Sequence, residues 1–515
     1  MRPGPRRNRG RNRAGYCTGA VALYAPGVPP ARAARDPRKQ TGAWYTPAEL
    51  VDIMVTAVVD AGFVDRRASG ARRLRVLDPA CGDGRFLVAV GERLAGFGVE
   101  VDLVGVDVDP VAVDELARRC PRIDVTRADA LTHEWPAERF DLVIGNPPFL
   151  SQMSAATARG GSSRHGGGPY ADAAVEFLAL ASELVDPDGG RLAFVLPQSV
   201  LSARDAAPVR AAIDRRASMV WSWWTAERVF DAQVYTCAVA FEFGPRSTVG
   251  DAGAGAAPSG AGAPDGRGDV AWSHVVADRR GVPGVPTSST SGTLADRARL
   301  NANFRDEYYG MVPAVDDHPS GPPLVTSGLI DPGRSWWGTR SVTFARRRLH
   351  RPRVDLDALD PKMRRWAEDR LVPKVLVANQ TSIVEAVADP AGTWLPAVPV
   401  VAAYPVGMAD PAAAATEIAA VLTSPWASAW VWQRTAGTGL SAGAVRLGPV
   451  LLGALPWPAG DVRPAVEALR LGDVRACGRA VLDAYGVSGD AGRSLFDWWE
   501  AALLRIEARQ PSSLP

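Results

Sequence analysis

Val76-Leu77-Asp78-Pro79-Ala80-Cys81-Gly82-Asp83-Gly84-Arg85-Phe86-Leu87 sets a glycine-rich turn between an apolar run and an amphipathic one. A buried strand that turns through glycines into a helix lets backbone N–H groups come close to a ligand. The spacing is not GxGxxG and no Gly-Lys-Ser/Thr follows, so a dinucleotide fingerprint and a phosphate loop are both excluded. An acid ahead of the turn, Asp78, suits a ligand with a positive amino group. An ordinary strand-to-helix turn has the same pattern, so the stretch fixes a strand–turn–helix unit before it fixes a ligand.

Outward from this turn the alternation repeats. Strands are predicted at 74–77, 101–106, 142–144, 192–196 and 238–243, with helical periodicity at 47–61, 84–94, 110–119 and 172–184 between them. Strand, helix, strand in repetition means an α/β, doubly wound sheet. Residues 1–39, rich in Arg, Gly, Pro and Ala without periodicity, are expected to be a disordered basic tail, and the first folded unit is expected over 40–243. Residues 244–268 are almost wholly Gly, Ala, Pro, Ser and Asp and are expected to be a linker. The rest, 269–515, reads as mixed short strands, turn dipeptides and tryptophans to about residue 460, then helices at 463–471, 475–485 and 494–507. That pattern alone names no fold.

At 515 residues the chain has room for two such units, and 47% hydrophobic with 22% charged residues is ordinary for a globular protein. No stretch is apolar for long enough to span a bilayer, and the basic N-terminus is not followed by a leader's apolar segment, so a cytoplasmic protein is expected. Cys17, Cys81, Cys120, Cys237 and Cys477 form no CxxC pair, which argues against a disulfide framework or a zinc site, and no metal is expected. The net charge of +2 is unevenly spread. Between Arg334 and Lys374 twelve Lys/Arg stand against five Asp/Glu, including Arg346-Arg347-Arg348-Leu349-His350-Arg351-Pro352-Arg353. Such a run can meet a phosphate backbone, or be a solvated loop.

Three further motifs follow the glycine-rich turn. Gly105-Val106-Asp107-Val108-Asp109-Pro110 ends the second strand on an acid, where doubly wound folds grip ribose hydroxyls. Asp107 is the candidate, with Asp109 capping the helix that opens at Pro110. Ala128-Asp129-Ala130 is an acidic turn able to accept from an adenine amino group, although a solvated aspartate fits it equally. Finally, Leu142-Val143-Ile144-Gly145 runs into Asn146-Pro147-Pro148-Phe149. Two prolines stiffen the backbone and remove two N–H donors, leaving carbonyl oxygens beside the Asn146 amide. That is an acceptor pair aimed at an NH₂ group. An aromatic amine is a poor nucleophile because its lone pair is delocalised, and two acceptors drawing on its hydrogens would localise that pair. Phe149 offers a face for a planar ring.

With Asn-Pro-Pro-Phe in place, the chain resembles amino-group DNA methyltransferases of the gamma arrangement, the Type II adenine-N6 modification methylases. Thr41-Gly42-Ala43-Trp44-Tyr45-Thr46-Pro47 matches the motif that precedes the glycine-rich turn in that family. The resemblance implies a Rossmann-like methyltransferase sheet followed by a mixed α+β target-recognition domain, S-adenosylmethionine as methyl donor, and double-stranded DNA as partner. It implies that Thr46 closes over the methionine part of the cofactor, that Asp78, Ala80 and Gly82 line its amino-acid end, that Asp107 binds the ribose and that Asp129 holds the adenine. Asn146, Pro147, Pro148 and Phe149 become the catalytic set. Glu227-Arg228-Val229-Phe230-Asp231 is similar to the family segment whose aromatic residue sandwiches the extruded base, so Phe230 would face Phe149, although a core phenylalanine is the plain alternative. Segments 324–333, 374–378 and 437–441 are similar to parts of the recognition domain, and Arg346, Arg347, Arg348, Arg351 and Arg353 become its expected DNA contacts. One departure is the length of two glycine-rich stretches; the first, 160–168, is expected to be a mobile lid ordered by DNA.

Asn-Pro-Pro-aromatic tetrapeptides also serve enzymes that methylate RNA or a protein glutamine, but those lack a large downstream domain. The modification subunit of a multi-protein defence complex is the other alternative. Any restriction endonuclease is expected to be a separate protein.

Overall fold

A computed structural model describes residues 46–68, 73–149, 163–168, 171–227, 229, 234–244, 272–303, 305–441 and 443–509. Its centre is a seven-stranded sheet: β1 (Leu74–Asp78), β2 (Val101–Asp107), β3 (Ile123–Arg127), β4 (Leu142–Gly145), β5 (Arg191–Pro197), β6 (Ala217–Trp224) and β7 (Thr236–Phe243) in the order β3-β2-β1-β4-β5-β7-β6. The first five strands are parallel and β7 runs antiparallel between β5 and β6. The α/β, Rossmann-like reading holds. Strands β3 and β6 complete it without having been predicted. Each is partly exposed along most of its length and lacks the continuous apolar run by which β4 and β5 are recognised.

The strands alternate their side chains between two apolar layers, as a period of two requires. Leu74, Val76, Leu142, Ile144, Ala193, Val195, Ala238 and Ala240 face one layer, closed by α1 (Ala48–Val58), α2 (Ala61–Arg67) and α3 (Arg85–Gly96). Leu77, Val143, Leu192, Phe194, Val239, Phe241 and Phe243 face the other. The single helix expected over 47–61 is two helices, because Asp60 accepts a hydrogen bond from Phe63 N (2.7 Å) and caps a fresh start. In α4 (Pro110–Arg119) Asp109 takes the expected capping role, accepting from Val111 N at 2.9 Å.

Buried charges tie the layers together at the end of the sheet away from the glycine-rich turn. Arg67 donates to Asp141 and Asp186, and Arg191 to Asp60 and Glu242. Each guanidinium is nearly buried and multiply satisfied, the condition under which a buried charge is tolerated.

The second half holds a four-stranded antiparallel sheet of β8 (Ala298–Ala302), β9 (Lys374–Ala378), β10 (Ala386–Asp389) and β11 (Val400–Pro405), ordered β10-β9-β11-β8. Helices α5 (Pro411–Leu422) and α6 (Pro425–Thr435) lie in a stretch expected to be strands and turns. Both are apolar on almost every side and buried, so neither shows the one-sided stripe that marks a surface helix. The three helices expected at the C-terminal end are present at Arg463–Arg470, Val474–Ala484 and Gly489–Glu507.

The two halves share one core. The layer holding Leu77, Val143 and Phe241 continues without a break through Trp272, Ile418, Trp430 and Trp499. Polar bonds stitch the same boundary: Trp272 Nε1 donates to Asp214 (2.9 Å), and Ser202 Oγ to Ala436 O (3.1 Å).

Candidate active site

The parallel strands all end on one edge, and that edge gathers the residues singled out from the sequence. Asp78 ends β1, Asp107 ends β2, Asp129 lies two residues beyond β3 and Asn146 follows β4 directly. A doubly wound sheet binds its ligand outside such carboxyl ends.

Asp78 is fully buried, and its Oδ1 accepts from Ala80 N (3.0 Å). The carboxylate lies against β4 at Gly145, where a β-carbon would stand 2.5 Å from Oδ1. Burial pushes the Asp78 pKa up to about 8; the Ala80 bond opposes this, and the negative charges of Asp107 and Asp83 add to it. The acid is therefore short of positive charge. A cationic group placed beside it would restore the carboxylate, which is what the amino or sulfonium group of S-adenosylmethionine offers.

Asp107 is half-exposed and closes the glycine-rich turn from the other side, its Oδ2 accepting from Gly82 N (2.7 Å) and its Oδ1 from Asp109 N (2.9 Å). Each oxygen keeps a further lone pair, enough for a pair of ribose hydroxyls. Gly82 (φ 50°) and Gly84 (φ 75°) carry the left-handed turn, and at Gly84 a β-carbon would meet Leu116 of α4 at 2.4 Å. The Cys81 thiol packs beneath Gly105, and burial first, then Asp78 and Asp107, push its pKa up, so it is no nucleophile.

Thr46 is buried, and its carbonyl accepts from Arg85, which also pairs with Asp83 through Nε at 2.9 Å. The start of the chain's described part is thereby pinned to the glycine-rich turn; residues 41–45 of the motif lie outside the described residues. Asp129 is exposed and accepts from Leu131 N (3.0 Å), shaping an acidic turn at the β3 end. His165 Nε2 lies 3.1 Å from Leu131 O. Within the stretch expected to be a lid, residues 163–168 are held by the chain itself: Ser163 Oγ, Arg164 N and His165 N donate to Glu176, and Gly168 N to Asp205 O. Residues 160–162 lie outside the described residues.

Pro147 is buried and Asn146, Pro148 and Phe149 are partly exposed. Phe149 packs against both apolar layers at once, so it sits at the rim of the sheet with part of its ring still accessible. Phe230 lies outside the described residues. Two residues of this edge were not singled out from the sequence. Gly145 makes room for Asp78, and Gln198, after β5, donates to Thr225 O (3.2 Å) and Thr236 O (3.1 Å), tying the ends of β6 and β7 to β5. Gly145 stands directly before Asn146, a glycine ending an otherwise branched strand, and that was the available signal.

The arginine run forms a hairpin, Val342–Phe344 paired with Arg347–Leu349, whose two-residue turn puts Ala345 (φ 49°) and Arg346 (φ 64°) in the left-handed region. The five arginines are not equivalent. Arg347 pairs with Asp316 (2.7 Å), and Arg353 donates to Gly321 O and stacks over Trp337 at 4.6 Å. Arg348 reaches Ser341 Oγ (2.9 Å). The side chains of Arg346 and Arg351 are exposed and make no hydrogen bond or ion pair among the described residues.

Residues 31–215 match the family described as N-6 DNA Methylase. The chain is 30% identical over 212 residues to the Type II methyltransferase M.TthHB8I of Thermus thermophilus, covering 38% of this chain and 42% of that one. It is 32% identical over 149 residues to the Type II methyltransferase M.XamI of Xanthomonas campestris pv. amaranthicola, 28% and 24% of the respective chains. The matched part thus spans less than half the length of these relatives. Among solved structures, the type I restriction-modification system methyltransferase subunit from Streptococcus thermophilus aligns at 17% identity with a TM-score of 0.31, over 39% of this chain and 45% of that one.

Proposed function

We propose that this chain, whose residues 31–215 are related to the N-6 DNA methylases, transfers a methyl group from S-adenosylmethionine to the exocyclic amine of an adenine extruded from duplex DNA, at a specific sequence and within a restriction-modification or phage-defence setting. The observation that carries the reading is the contact of Asp78 with Gly145, because it puts the cation-seeking acid one residue from Asn146. Cofactor end and target end therefore share one strand terminus.

When bound, S-adenosylmethionine supplies an electrophilic methyl group on a sulfonium. The chain supplies position and charge. Asp78 neutralises the cofactor's positive end, with Ala80 and Gly82 lining it, Asp107 taking the ribose hydroxyls, Asp129 the adenine and Thr46 covering the methionine part. The Asn146 amide oxygen and the proline-locked carbonyl beside it accept the two hydrogens of the target amine, and Phe149 stacks on the base, with Phe230 as the opposing face. Stacking of this kind contributes about 1–3 kcal/mol per base, comparable with the few kcal/mol that flipping costs. After transfer the amine sheds one proton to solvent; no covalent enzyme intermediate is needed. The recognition role falls to the second half, with Arg346, Arg348 and Arg351 meeting DNA, and Arg347 and Arg353 holding their loops in place.

The test is a tritiated-methyl assay on plasmid DNA with the purified chain, followed by long-read sequencing of the product. N6-methyladenine in one sequence context is the expected result. No incorporation into DNA, or label in RNA or protein instead, would overturn it.

A further inference from the structure

Arg280 ends the short helix His274–Arg279 and lies over the Trp224 ring, its guanidinium carbon 5.0 Å from the centroid. Trp224 closes β6, in register with Cys237 of β7, which in turn pairs with Leu196 of β5. Arg280 therefore stands on the edge that carries Asn146, three strand spacings or about 14 Å along it. A later segment of the same half also reaches this place: a β-carbon at Gly443 would be 3.7 Å from Arg280 Nη2, and Gly437, just ahead, abuts Gln198 O so closely that a β-carbon would stand at 2.7 Å.

Among the described residues, the positive charge here is unmet. Arg280 Nε is buried without a hydrogen-bond partner, and no carboxylate pairs with the side chain among the described residues. A second cation, Arg505, also acts on it and makes no ion pair among the described residues either. Burial first, and Arg505 after it, lower the Arg280 pKa, while Tyr235 works against them. A half-buried guanidinium with an unsatisfied N–H and another arginine nearby is an arrangement that an anion completes. Stacking on an indole holds the planar fork in place for it.

We infer that Arg280, braced by Trp224 and assisted by Arg505, binds a backbone phosphate of the DNA strand that carries the target adenine. The inference rests on the DNA-methylating reading and adds a positioning site to it. Flipping turns a nucleotide about its own backbone, so the backbone beside it must be held while the base leaves the stack. An arginine on the strand edge, outside the base pocket, meets that need without reading sequence.

The experiment uses the full chain and a duplex carrying the sequence found modified in the sequencing above. Affinity is measured against salt, and the phosphates around the target adenine are replaced one at a time by neutral methylphosphonates. Each phosphate neutralised by the protein contributes about 0.9 to the slope of log affinity against log salt. Arg280→Gln is expected to lower the slope by about that amount and to raise KM for DNA, with cofactor affinity and modified sequence unchanged. One methylphosphonate position should weaken the parent chain yet leave Arg280→Gln unaffected. Arg505→Gln, at an exposed position, tests the same phosphate should the first variant not fold, and should partly lose its sensitivity there. Wild-type slope and wild-type sensitivity at every phosphate in both variants would overturn this site while leaving methylation intact. A parent chain that binds duplex DNA at no salt concentration would sink the methylation reading along with it.

Discussion

The Asp78 carboxylate rests on the backbone of Gly145, so near that no other residue type fits at position 145 without displacing the acid. The two residues are 67 apart in sequence and adjacent only because β1 pairs with β4. Their contact joins the glycine-rich turn to Asn146.

Gly145→Ala forces a methyl group to within 2.5 Å of Oδ1, less than any real contact allows. The Ala80 bond and complete burial leave the carboxylate little room to move. Overpacking of this kind costs about 1–3 kcal/mol. The variant should lose stability by that amount in urea titrations and bind S-adenosylmethionine at least about tenfold more weakly by calorimetry. Unchanged cofactor affinity would separate Asp78 from the cofactor.

Asp78 should make stability and cofactor binding depend on pH in opposite senses. Its pKa is raised to about 8 in the fold, against about 4 in an unfolded chain. Between those values the folded state holds a proton that the unfolded state does not, so the contribution of Asp78 to stability is full below about pH 4 and is lost as pH rises to about 8. Asp78→Asn should remove that slope and be the more stable protein at pH 8, measured as the difference between the two urea midpoints from pH 4 to 9. A cationic ligand needs the ionised form, so cofactor affinity should climb with pH up to about 8 and fall flat in Asp78→Asn. Parallel stability curves for the two proteins would contradict the assignment.

Asn146→Ala should reduce methyl transfer by about 10²–10³-fold, the loss typical of removing one preorganised partner of a reacting group. Cofactor affinity should stay within about twofold, because Asn146 is assigned to the target amine. Single-turnover assays at saturating DNA and cofactor give the rate; near-normal turnover ends the acceptor-pair mechanism.

Arg346→Gly separates fold from function in the hairpin. A non-glycine residue in the left-handed region costs about 1–2 kcal/mol, part of which glycine returns through its more flexible unfolded chain. The variant should therefore be more stable, by about 0.5–1 kcal/mol, yet bind target duplex less tightly. Greater stability with undiminished DNA affinity would make Arg346 a solvated turn residue.

Much of this was legible in the sequence because it is local. The strand–turn–helix from Val76 to Leu87, the cap at Asp109 and the rigid Asn146–Phe149 tetrapeptide depend on neighbours a few residues away, and period and turn chemistry record such dependence directly. The same locality broke the helix expected over 47–61, where Asp60 caps a second start. Strands β3 and β6 and helices α5 and α6 escaped because their pattern is set by what covers them: partial exposure blurs the first pair, and burial on all sides erases the stripe of the second.

By itself, then, the sequence determined the residue types that can do the chemistry and the short segments that present them. Tertiary structure decided which of them meet. Sheet order put Asp78 on Gly145, ion pairing set Arg347 apart from Arg346, and the shared core brought Arg280 to the edge that carries Asn146, where no carboxylate pairs with it among the described residues. The physical reason is reach: backbone preference acts over a few residues, whereas burial and charge act through space, between segments that only the folded sheet makes neighbours.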